Sequence, residues 1–122
     1  MLLTLKIVLG VIGALMVFLG LNWMFNPGKM MAQHDIQSTS PTGRNYLRGD
    51  IGGLLLAGAL FIFLFLYQGS DPWLYPGILL ISAVILGRVT SLVVDGKSKL
   101  GIQAILVEVV IIGLLLGIDR LS

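Results

Sequence analysis

The sequence predicts an all-α membrane protein, four transmembrane helices in an up-down-up-down bundle, and three observations lead to it. Hydrophobic residue types make up 57% of the 122 residues and charged types only 11%, with a mean hydropathy of +0.99. That is more apolar surface than a soluble domain of this length can bury. The apolar residues are gathered into four stretches, Leu2–Phe25, Ile51–Tyr67, Trp73–Val94 and Leu100–Ile118, each close to the ~20 residues that cross a hydrocarbon layer of ~30 Å. The later stretches are separated by short turns, so consecutive helices must fold back as antiparallel neighbours.

In the first span, Lys6 precedes an apolar run that is too long for the ~7–15-residue core of a secretory signal and lacks a small-x-small cleavage site. It is read as a span retained in the mature protein. Asn26-Pro27-Gly28 ends it, since Pro cannot continue a helix and Gly permits a left-handed turn. The connection from Asn26 to Gly49 is the only long one and leaves no room for a soluble domain. The expectation is therefore one domain, 1–122, with spans at about 2–25, 47–68, 72–94 and 99–120. Ser40-Pro41 reads as a helix cap followed by Pro in the first turn, so the second helix can begin outside the membrane with Arg44 and Arg48 at its boundary. Asp71-Pro72 repeats the pattern ahead of the third span, and Asp95-Gly96-Lys97-Ser98 is the turn into the fourth.

Basic residues set the expected orientation. Lys29, Arg44, Arg48, Arg88, Lys97 and Lys99 lie in or near the first and third connections, with only Lys6 and Arg120 near the opposite side. The positive-inside rule then puts those connections in the cytoplasm and both termini outside it. Trp23 and Tyr46 on one side, and Tyr67, Trp73 and Tyr75 on the other, suit interfacial aromatic belts. Small residues recur at intervals of four: Gly49, Gly53 and Ala57, Gly10 with Ala14, and Gly113 with Gly117. Such rows let helices approach closely, within the chain or in a homo-oligomer.

Glu108 stands near the middle of the fourth span, where a carboxylate costs roughly 2.5–3.5 kcal/mol on insertion scales and needs a partner. It shares a face with Gly101 and Ala104 at helical spacing, and that face should meet another helix. Folding the third and fourth spans about the Gly96-Lys97 turn brings Arg88 within about one turn of it. Three readings stay open: a structural pair with Arg88, a group that handles a proton, ion or ligand, and a neutral hydrogen-bonded acid. A second polar group, Arg44, Arg48, Asp50, Arg88, Ser91 and Asp95, reads as a cap at the cytoplasmic end. It is either a set of charges snorkelling to water or a site for an anionic headgroup.

Several chemistries find no support. There is no Cys, hence no disulfide, thiolate metal site or cysteine nucleophile. His34 beside Asp35 is the only His and falls short of a metal-ligand set, so no metal or other cofactor is expected. Ser38-Thr39-Ser40 reads as loop and capping chemistry. The net charge of +2 is spread over loops, which argues against nucleic-acid binding.

Arg48-Gly49-Asp50-Ile51-Gly52-Gly53, opening the second span, and Gly87-Arg88-Val89-Thr90-Ser91-Leu92-Val93-Val94-Asp95-Gly96, closing the third, resemble a family of small bacterial four-span membrane proteins of unknown function. The resemblance implies a bacterial inner-membrane protein in which Arg48, Gly52, Gly53, Arg88, Asp95 and Gly96 are the family-like positions, and it implies no activity. The leading expectation is a non-enzymatic accessory or scaffold protein that packs among lipids and against a membrane-protein partner. The alternative is a protein that binds or transports a lipid or small molecule through the Arg/Asp cluster and Glu108.

Overall fold

The computed structural model describes residues 1–37 and 40–122, and for Arg44, Ser70 and Asp71 the backbone only. Six α-helices and one π-helical turn account for nearly all of the described residues. Four helical stretches, Leu2–Phe25, Pro41–Gln68, Pro72–Val94 and Lys99–Leu121, are long and apolar enough to cross a membrane. The chain divides into two units, Val11–Leu60 and Met1–Gly10 with Phe61–Ser122.

In the first unit, helix α1 (Leu2–Phe25) ends where expected, but the chain beyond it is not a loop. Pro27 opens a second helix, α2 (Pro27–Gln33), and Gly28 lies inside it with ordinary helical backbone, so no left-handed turn closes α1. The physical reason is that Pro is disfavoured only in a helix interior; in the first turn its fixed φ suits a new helix. α2 is amphipathic: Pro27, Met30 and Met31 are buried, while Lys29 and Gln33 face out. Its methionines pack on Trp23, with Ile36, Leu47, Ile51 and Leu55 around them. Trp23 is only 3% exposed, so it belongs to this cluster and not to an interfacial belt. His34 closes the cluster, its ring centroid 5.2 Å from that of Trp23 and its Nδ1 2.9 Å from the Met30 carbonyl oxygen.

Ser40 caps α3 (Pro41–Tyr46), its Oγ accepting from the Gly43 N–H at 3.0 Å. Ser38 and Thr39 lie outside the described residues. α3 runs on through a π turn (Leu47–Gly52) into α4 (Gly53–Gln68). At the junction the Gly53 N–H is directed at the Arg48 carbonyl five residues back, as well as at those of Gly49 and Asp50.

The glycines of this stretch differ in what they pack against. A Cβ on Gly52 would lie 3.1 Å from the Gly20 carbonyl oxygen, and one on Gly20 would lie 3.1 Å from the Gly52 carbonyl oxygen and 2.9 Å from Leu56. The two backbones therefore meet reciprocally, with room for hydrogen but not for methyl. Beside Gly49 and Gly53 there is nothing within 4 Å, and Ala57 faces outward. The row of Gly49, Gly53 and Ala57 therefore faces away from α1, and the close approach is made by Gly52 with Leu56 beside it.

In the other unit, Gly69 (φ +90) reverses the chain into α5 (Ser70–Val94), so the helix begins ahead of the Asp71-Pro72 cap that the sequence suggested. The Asp71 side chain lies outside the described residues. Trp73 steadies this reversal by donating its indole N–H to Gln68 Oε1 and stacking at a tilt on Phe61. Tyr67 and Tyr75 face outward. Gly96 (φ +102) makes the next turn, and Ser98 caps α6 (Lys99–Leu121) by accepting from the Gly101 N–H at 3.0 Å.

α5 and α6 run antiparallel: Gly77 lies against Leu115, Arg88 against Glu108, and Leu92 against Gly101. Gly117 packs on Leu5 and Gly10 on Leu66, and Gly113 has open space beside it. Leu9, Ile62, Phe65, Leu74, Ile81, Ile111, Leu115 and Ile118 form the buried apolar residues of this unit. In lipid such contacts stabilise through close packing, since hydrocarbon outside the helices is as apolar as the interior.

Candidate functional site

Glu108 occupies the face of α6 that also carries Gly101, Ala104, Ile111, Leu115 and Ile118, because positions three and four apart align on a helix. The nine residues from Lys99 put it ~13 Å along the helix, near its middle. Arg88 Nε donates to Glu108 Oε1 at 2.6 Å, with side-chain exposures of 41% and 15% respectively. The carboxylate is thus the more enclosed partner. Its second oxygen, Oε2, is buried and has no hydrogen-bond donor among the described residues. A monodentate ion pair in low dielectric holds the two helices in register, and removing either member leaves a charge stranded.

The remaining polar candidates fall into local arrangements. Ser91 Oγ donates to Asp95 Oδ2 at 2.9 Å, one helical turn apart at the end of α5, and Thr90 Oγ1 donates to the Leu86 carbonyl. Arg48 Nη1 donates to the Met24 carbonyl at 2.6 Å. Met24 lies in the last turn of α1, whose carbonyls lack an intrahelical partner: the Asn26 N–H bonds back to Asn22, and the Met24 carbonyl takes the arginine in place of a helical N–H. A guanidinium also suits a helix C-terminus, where the dipole leaves about half a negative charge. Asp50 is exposed and forms no ion pair or side-chain hydrogen bond among the described residues, and the Arg44 side chain lies outside them.

The structure therefore brings together Arg88 with Glu108, Ser91 with Asp95, and Arg48 with the end of α1. The π turn and the Gly20–Gly52 contact escape sequence reasoning. Two adjacent glycines at 52 and 53, close to an Arg, were the visible signal. No group of three or more His, Asp or Glu able to hold a metal occurs among the described residues.

Four apolar helices of spanning length, with an ion pair between the last two, define a small integral membrane protein. A family model, the domain of unknown function DUF4345, matches residues 4–118, and the chain belongs to that family. No curated protein and no solved structure matches the chain.

Proposed function

We propose that this protein is a non-enzymatic accessory or scaffold subunit of a bacterial inner membrane, packing its helices against a larger membrane protein. The observation that carries the reading is the outward small-residue face of α4 with the π turn, where Gly49 and Gly53 have open space and Ala57 is exposed. Such a face admits a second helix at close range, and lipid tails fill it less well. The Arg88–Glu108 pair supports the same reading, since the carboxylate is engaged within its own hairpin. In this proposal the first and third connections face the cytoplasm.

Extraction in mild detergent followed by affinity isolation tests it. A membrane protein recovered in fixed ratio, and lost when Gly53→Leu and Ala57→Leu fill the face, is the expected outcome. Recovery of the folded chain with a bound lipid or metabolite and no protein partner would instead establish the binding or transport alternative.

A further inference from the structure

We propose that Arg48 is the centre of a phosphate-binding site at the membrane boundary, fitted to the headgroup of an anionic phospholipid or to a free phosphate of the same chemistry. The arginines at 48 and 88 differ in what remains open on them. Arg88 uses Nε on Glu108, so its charge is offset and its side-on edge is interrupted. Arg48 uses only Nη1, and its acceptor is the neutral Met24 carbonyl. The Nε and Nη2 edge of Arg48 has no acceptor among the described residues. Two parallel N–H groups on one edge are what match a pair of phosphate oxygens.

The charge is uncompensated as well. Asp50 is two residues away, about half a turn around the helix, and makes no ion pair with Arg48 among the described residues. The partial negative charge at the end of α1, about half an electron, is smaller than the full positive charge it holds in place. The bond to Met24 also fixes the guanidinium at the last turn of α1, so less side-chain freedom is lost when a ligand arrives. α2 begins two residues beyond α1 with Met30 and Met31 buried and Lys29 exposed, so a second cation lies close by in the chain.

Native mass spectrometry of the protein released from mixed phosphatidylglycerol and phosphatidylcholine membranes tests the site. The parent should retain the anionic lipid preferentially, and Arg48→Gln should reduce the preference about fivefold, the usual weight of one basic residue at an anionic surface. Arg48→Lys, which keeps the charge and a donor for Met24 but lacks the paired edge, should fall between them. Lys29→Gln leaves the Arg48–Met24 bond intact and should weaken the preference. Should Arg48→Gln fail to fold, Arg48→Lys and Lys29→Gln decide the matter. Displacement of the lipid by millimolar inorganic phosphate identifies a free-anion site, and resistance to it a lipid site. Equal retention of both lipids by the parent, or an unchanged preference in Arg48→Lys and Lys29→Gln, overturns the proposal.

Discussion

At the scale of single residues, Glu108 and Arg88 define one another. A carboxylate near the middle of a span is tolerated because a guanidinium 2.6 Å away shares the low-dielectric environment. We predict that Arg88→Met or Glu108→Leu alone lowers stability by roughly 1–4 kcal/mol, whereas the double variant recovers much of the loss. Unfolding measurements in detergent decide it, and strictly additive losses would mean that the pair contributes no coupling. The pairing is legible in the sequence, because the turn at Gly96 and a constant rise per residue are enough to place one side chain near the other. Which oxygen is used, and that Oε2 remains without a donor among the described residues, depends on rotamers that no spacing rule reports.

At the scale of helices, the two adjacent glycines where the π turn gives way to α4 have opposite surroundings. Gly52 meets the Gly20 backbone, and Gly53, one position later, meets nothing. We predict that Gly52→Ala destabilises by about 1–3 kcal/mol through overpacking. Gly53→Ala should be neutral or stabilising by up to ~1 kcal/mol, the helix-propensity difference between the two residues. Thermal melts of the two variants side by side check the contrast, and equal effects would show that Gly52 does not pack against Gly20. Helix ends were easier to read than this interior irregularity. Ser40, Ser98 and Gly96 act through local chemistry written at their own positions. The π turn leaves no periodicity in so few residues, and α2 is likewise too short a segment for periodicity to reveal. Trp23 illustrates the same limit, since an aromatic residue at a span end reads as interfacial until a neighbouring helix covers it.

At the scale of the whole molecule, composition alone carried the class, because four apolar stretches leave few other ways to satisfy backbone polar groups in lipid. Orientation is a separate matter, set by the distribution of basic residues. We predict that a cysteine replacing Lys97 is protected from an impermeant thiol reagent added to intact cells, while one replacing Ser70 is labelled. The reverse pattern inverts the topology. The chain has no native cysteine to confuse the readout.

The bond between Arg48 and Met24 also bears on the order in which the protein is made. Its two ends are separated by 24 positions in the chain, so when the last turn of α1 emerges from the ribosome, the donor for its Met24 carbonyl is still inside the exit tunnel. Until Arg48 arrives, water must serve that carbonyl and the end of α1 stays frayed. The first span is therefore completed by the second, and a nascent chain halted while Arg48 is still in the tunnel should show faster amide exchange over the final turn of α1 than one halted after Arg48 has emerged.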